Sequence, residues 1–234
     1  LIMKLVFFGS PSFAVPSLKI LHRSNHEILS IVTTPDKKAG RGLKIKPSAL
    51  KIISEEYSYP ILQPCNFNDN AFISLLKNLN ADIFVVVAFK ILPIQIISLP
   101  KNGSINLHAS ILPKYRGAAP IYHALLNGDN HTGVTTFIIE ENIDTGMILL
   151  QNKYFINENS NAGDVHDDLA NIGAKLILKT LDGIENKSII PQKQNNYSSS
   201  LAPKIKKTNC MINWSESSLN IHNQVRSLSP KPGA

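Results

Sequence analysis

The sequence predicts an α/β fold built around a doubly wound, mostly parallel sheet, on three observations. Residues 4–8 form a compact apolar strand that stops at the tight turn Gly9-Ser10-Pro11-Ser12 and runs into a helical stripe of Phe13, Val15, Leu18 and Leu21. Residues 83–88 are almost purely apolar, the composition of a parallel strand buried on both faces. Around them, short strands alternate with amphipathic segments, and such alternation folds as stacked βα units.

The first strand, turn and helix open a Rossmann-like unit. A dinucleotide fingerprint needs three spaced glycines where the pyrophosphate meets the helix start; only Gly9 is present, which argues against a nicotinamide cofactor. Residues 28–33 are the second strand. Ser48 caps a helix that runs to Glu56, and residues 70–80 form another, with Phe72, Leu75, Leu76 and Leu79 on one face. A strand begins at Ser104, Pro113 and the Arg116-Gly117 pair break regular structure, and residues 118–127 are helical. Residues 134–139 are a strand, 140–147 a turn and 148–151 a final strand. Residues 162–181 form a long amphipathic helix with Val165, Leu169, Ile172 and Leu176 in register, stopped by Gly183. These elements define a first domain over residues 1–185. Residues 186–209, rich in Lys, Asn, Ser and Pro and without periodicity, read as an extended linker. Residues 210–234 then open a second unit, with a strand at 211–214 and a short helix at 218–228.

The chain's 234 residues, 43% hydrophobic and 18% charged, suffice for one sizeable core and part of a second. No apolar run approaches the roughly 20 residues that span a bilayer, and the short apolar start lacks a signal-peptide cleavage site. A cytoplasmic location with no membrane partner is expected. Cys65 and Cys210 cannot support a disulfide framework or a zinc site. The net charge of +7 hints at a polyanionic partner. The opening Leu1-Ile2-Met3 and the ending Ser229-Pro230-Lys231-Pro232-Gly233-Ala234 suggest a fragment of a longer chain.

The chemistry gathers between residues 104 and 120. Ile105 and Leu107 alternate with Asn106 and His108, so a period of two puts the amide and the imidazole on one side of a strand, where it passes into a loop. Open α/β sheets place their ligands there. Asp144, in a Thr-Gly turn, alone reads as a turn aspartate. With Asn106 and His108 it completes a set in which amide and imidazole donate to an oxyanion while the carboxylate orients the imidazole or receives a proton. Neither cysteine lies near the set and no Gly-x-Ser-x-Gly elbow is present, which disfavours a covalent route. Too few ligands are nearby for a metal. The pattern suits direct acyl transfer to an amine. The loop at 34–48 carries Lys37, Lys38, Arg41, Lys44 and Lys46 against Asp36 and lacks a Gly-Lys-Ser/Thr ending. By composition it is either a solvated surface loop or a mobile arm for a nucleic-acid backbone.

Asn106-Leu107-His108, the run from Ser110-Ile111-Leu112-Pro113 through Arg116-Gly117-Ala118-Ala119-Pro120, and Ile143-Asp144-Thr145-Gly146 together resemble the signature of the folate-dependent formyltransferases. The resemblance extends from about Lys4 to the last residue. It implies a Rossmann-like formyltransferase domain, a linker, and the beginning of a C-terminal β-barrel of the oligonucleotide-binding type. It implies 10-formyltetrahydrofolate as formyl donor, no metal, and a monomer; within the family, the opening at residues 8–16 and the loop at residues 35–42 look like the branch whose acceptor is methionyl initiator tRNA. Asn106, His108 and Asp144 would be catalytic. Phe89, Ile91, Leu92, Ser110, Ile111, Leu112, Pro113 and Ile143 would bind the folate. Lys37, Lys38, Arg41, Lys44 and Lys46 would bind tRNA, with Arg41 as the recognition arginine. Where the family has Ala-Tyr-Gly-x-Ile-Leu-Pro, this chain has Ala88-Phe89-Lys90-Ile91-Leu92-Pro93, one residue shorter and without the glycine. A small-amine or water acceptor fits the same three residues, but needs neither the basic loop nor the segment past the linker. A non-catalytic RNA-binding module would leave Asn106, His108 and Asp144 as an unexplained set.

Overall fold

The computed structural model describes residues 2–39 and 44–234. β1 (Lys4–Gly9) leads through a 3-10 turn into α1 (Val15–His22) and β2 (Glu27–Val32). A small hairpin of β3 (Lys37–Ala39) and β4 (Lys44–Lys46) follows, then α2 (Ala49–Glu56), β5 (Ile61–Leu62), α3 (Asn70–Asn78) and β6 (Ile83–Val87). After them come α4 (Ile94–Ile97), β7 (Ser104–His108), α5 (Pro120–Leu126), β8 (His131–Ile138), β9 (Ile148–Phe155), α6 (Ala162–Glu185) and α7 (Ser218–Leu228).

Seven strands form one sheet in the order β5-β2-β1-β6-β7-β8-β9. The pairs from β5 through β7 are parallel, and β8 and β9 extend the sheet antiparallel. The chain moves from β1 out to β2 and later returns across β1 to β6. The gap between the carboxyl ends of β1 and β6 is therefore the topological switch point, where such sheets bind ligands.

The period of two in β1 and β6 divides the core into two layers. Leu5, Phe7, Ile83, Val85 and Val87 pack on the side of α1 and α6, and Val6, Phe8, Phe84 and Val86 on the side of α3 and α4. Complete burial of a side chain such as Phe7 contributes about 1.5–3 kcal/mol. Side chains cap the starts of α2 and α6: Ser48, as expected, accepts from Lys51 N, and Asn161 with Asp164 forms a capping box. α6 lies directly on β7, since a Cβ at Gly173 would stand 2.5 Å from a Leu107 methyl. That contact holds the strand bearing Asn106 and His108 from behind.

The structure departs from several expectations. Leu75 is 42% exposed, while Phe72 and Leu76 are the buried residues of α3 and Ile73 and Leu79 pack partly buried beside them. β9 runs on to Phe155, since β8 is long enough to pair His131 with it. α6 passes through Gly183 to Glu185, as the glycine's bare face is filled by Ile189. Residues 211–214 form no strand: a 3-10 turn (Lys207–Cys210) precedes them, and Trp214 is 78% exposed with no neighbouring strand edge to pair. Residues 186–209 do not hang free. Gln192 pairs with Ile148, Leu201 pairs with Arg116, and Ala202 is fully buried. α7 packs on α5, and Ser229 O accepts from Gly163 N at the start of α6. Residues 210–234 thus place one helix, α7, on the sheet unit.

Candidate active site

Asn106 and His108 leave the carboxyl end of β7 on the same face, as their spacing requires. His108 is buried, and its Nε2 lies 2.8 Å from the Tyr115 carbonyl. A carbonyl only accepts, so Nε2 carries the hydrogen and Nδ1 is the ring nitrogen left for chemistry. Nδ1 stands 3.6 Å from Asp144 Oδ2, longer than a hydrogen bond and within reach of one after a small shift. Asp144 comes from the turn between β8 and β9, and its Oδ2 accepts from Gly117 N at 2.8 Å. Gly117 has φ +121, and a Cβ there would meet Ala202 O at 2.7 Å, so the Arg116-Gly117 break exists to bring this N–H onto Asp144. Among the described residues nothing hydrogen-bonds the Asn106 carboxamide, which faces the cavity. The three predicted catalytic residues therefore converge, and the arrangement offers an amide donor, an imidazole nitrogen and a carboxylate around one point.

They line a cavity of about 910 Å³, within the range of ligand pockets. Its apolar wall includes Phe89, Ile91, Leu92 and Ile143, four of the residues expected to hold folate, joined by Phe137 and Ile139. Ile91 and Ile143 are more than half exposed, an apolar rim that the described residues leave open. Ala88, with φ +47, turns the chain from β6 into this wall without the family's glycine. Ser110, Ile111, Leu112 and Pro113 are not on the cavity wall. The Ser110 hydroxyl donates to Lys114 O, Thr135 Oγ1 donates to Ser110 O and accepts from Leu112 N, and Ile111 packs on Gly133. They brace the loop against β8, and the sequence motif does not separate such bracing from ligand contact.

The β3–β4 hairpin follows β2, whose carboxyl end lies at the same sheet edge as the cavity. Its base is fastened: Asp36 accepts from Lys51 Nζ at 2.6 Å and from Gln63 Nε2 at 2.8 Å. The Lys51 hydrogen bond, helped by Gln63, holds the Asp36 carboxyl below its ordinary range. Lys37 and Lys46 are exposed and stand directly opposite each other. Like charges so placed repel unless an anion lies between them. Lys38 and Lys44 contribute backbone to the hairpin. Arg41 lies outside the described residues.

Sequence reasoning missed Tyr115. Its φ is +62, its N–H donates to Ser200 Oγ, and its hydroxyl donates to Asp129 at 2.8 Å and accepts from Asn127. These ties aim its carbonyl at His108. Burial, with the Asp129 carboxylate beside it, pushes the Tyr115 phenol up to about 12. The signal was a long-range one, Ser200 lying 85 residues away.

Residues 3–181 match the formyl transferase family, and residues 204–234 match the formyl transferase C-terminal domain. The methionyl-tRNA formyltransferase of Thermodesulfovibrio yellowstonii is 47% identical over 98% of this chain and 75% of its own length. That of Clostridioides difficile is 45% identical over 99% of this chain and 75% of its own. An N-formyltransferase from Helicobacter canadensis, solved with folinic acid and dTDP-3-aminofucose, matches with a TM-score of 0.75 at 28% identity, covering 96% of this chain and 80% of that one. With the family match spanning most of its length and carrying the converging asparagine, histidine and aspartate, the chain belongs to the formyl transferase family.

Proposed function

We propose that this chain transfers the formyl group of 10-formyltetrahydrofolate to the α-amine of methionyl initiator tRNA, the formylation that prepares this tRNA for translation initiation. The observation that carries the reading is the convergence of Asn106, His108 and Asp144 on one cavity, in a chain 41–47% identical to methionyl-tRNA formyltransferases. An apolar wall with a polar end suits a flat bicyclic donor whose reactive group lies at that end. Phe89, Ile91, Leu92 and Ile143 hold the donor, while Ser110, Ile111, Leu112 and Pro113 support it by bracing the loop between His108 and Tyr115. Lys37, Lys38, Arg41, Lys44 and Lys46 take the phosphates at the acceptor end of the tRNA, at the sheet edge where the cavity opens. The same reading makes the protein a cytoplasmic monomer without a membrane partner; among the described residues no helix is long and apolar enough to cross a membrane.

In the reaction, the amine nitrogen bonds to the formyl carbon and the bond from that carbon to N10 breaks. Asn106 donates to the formyl oxygen as it gains negative charge, and one such donor is worth about 10²–10³ in turnover. As the imidazolium, His108 donates from Nδ1, since Tyr115 O occupies Nε2–H. Asp144 keeps that hydrogen in place and receives the proton the amine loses, which leaves finally on N10 of tetrahydrofolate. Holding amine and formyl carbon in line supplies up to about 7–11 kcal/mol of the barrier reduction.

The test is transfer of labelled formyl to charged initiator tRNA, beside a control without tRNA and an arm with small amines. Transfer to tRNA is expected, with kcat lowered by about 10²-fold or more in Asn106→Ala, His108→Ala and Asp144→Ala. Near-normal turnover in all three would remove the assignment. Donor turnover that ignores tRNA would move the reading to a small-acceptor transferase or a hydrolase.

A further inference from the structure

The segment that composition marks as a linker crosses behind the catalytic turn. At its middle is Gln194, only 6% exposed, with a fully used carboxamide. Its Oε1 accepts from Arg116 Nε at 3.1 Å and from Arg116 Nη2 at 2.7 Å. Its Nε2 donates to Asp144 O at 2.9 Å and to Gly146 O at 2.8 Å. Arg116 is itself buried, and its Nη2 also donates to Asn196 Oδ1 at 2.9 Å. Both hydrogens of the Gln194 amide thus go to the 144–146 turn. That turn needs holding: Asp144 has φ +54, the left-handed region that glycine enters more readily than an aspartate. The neighbouring loop is tied to the same segment, since Arg116 N donates to Ser200 O and Ala202 N to Arg116 O.

We infer that Gln194, fixed by Arg116, is a positioning residue for formyl transfer: it locks the 144–146 turn so that the Asp144 carboxylate stays in line with His108 Nδ1. Its two donors bracket the catalytic aspartate's turn, one on the carbonyl of Asp144 and the other on that of Gly146. By this route the docking of the segment after α6 reaches the chemistry without a side chain touching substrate. The inference rests on the formyl-transfer reading, and its test separates the two.

The test uses Gln194→Glu, which keeps an acceptor for Arg116 and removes the donors to the two carbonyls, with Gln194→Met as a second variant. kcat and KM are measured with natural Asp144 and in the Asp144→Ala background, and the His108 ring nitrogens are followed by NMR. With Asp144 present, kcat is expected to fall about 10- to 100-fold, the cost of a small misplacement, with KM for the donor little changed. In the Asp144→Ala background the same substitution should cost less than about twofold, because the residue through which it acts is gone. The His108 signals should move in Gln194→Glu. An equal loss in both backgrounds, or unmoved His108 signals in a folded variant, would overturn the inference. If the natural chain fails to formylate methionyl-tRNA, the functional reading falls, while the His108 signals still decide whether Gln194 positions the pair.

Discussion

Asn106 and His108 were legible at the residue scale because a strand's alternation alone decides which side chains share a face. Asp144 was legible only as a turn aspartate until its companions stood beside it. Tyr115 and Gln194 were not legible: each acts through hydrogen bonds to residues far away in sequence, and neither residue type signals that role locally. Tyr115 offers a direct check by pH. Its folded phenol lies at about 12, above the ordinary 10 of an exposed tyrosine. A group raised on folding contributes stability that is fully present below the unfolded value and is lost as pH rises through the folded one. Denaturation midpoints should therefore fall between pH 10 and about 12, and the fall should be shallower in Tyr115→Phe. Tyr154, also raised to about 12 by burial and by its bond to Asp168, leaves part of the slope in that variant. An identical slope in Tyr115→Phe would show that the phenol does not carry this linkage.

At the scale of the element, the basic loop shows what composition withholds. Five cations and two glycines fit either a solvated loop or a nucleic-acid arm, and nothing in the pattern distinguished a hairpin from an irregular loop, because β3 and β4 are three residues each. The opposition of Lys37 and Lys46, with Asp36 already taken by Lys51 and Gln63, favours an external anion. Each phosphate contact of this arm contributes about −0.7 to −0.9 to the slope of log affinity against log salt, the lower value for single strands. Lys37→Ala, Lys46→Ala and Arg41→Ala should each weaken use of tRNA and flatten that slope by about this amount. Donor affinity should be unchanged, since neither lysine lies on the cavity wall and the arm's proposed task is the tRNA alone. The measurement is kcat/KM for charged tRNA across a salt series, with donor binding measured separately. Equal loss of donor affinity would contradict the hairpin's role.

For the whole molecule, the parallel sheet was legible because buried parallel strands are apolar on both faces and alternate with helices. The docking of the segment after α6 was not, because a polar aperiodic stretch looks the same whether it dangles or is pinned by backbone hydrogen bonds that composition does not record. Here it is pinned: Gln192 and Ile148 exchange backbone bonds, Arg116 N donates to Ser200 O at 2.9 Å, Ala202 N to Arg116 O at 2.7 Å, and Ala119 N to Ala202 O at 3.1 Å. These bonds adjoin Gly117 and Tyr115, so the segment opens only by disturbing the residues that hold Asp144 and His108. Its local stability should then approach that of the sheet rather than that of a tether. In hydrogen exchange, the Arg116, Ala119 and Ala202 amides should be slowed on the order of 10³-fold or more against free chain, as the opening of a cooperative unit requires. Gln194→Met should lower that protection at Arg116 and Ala202 before it touches β1 or β6. Free-chain exchange at Ala202 in the natural protein would mean that the segment is a tether after all, and that the site holds its geometry without it.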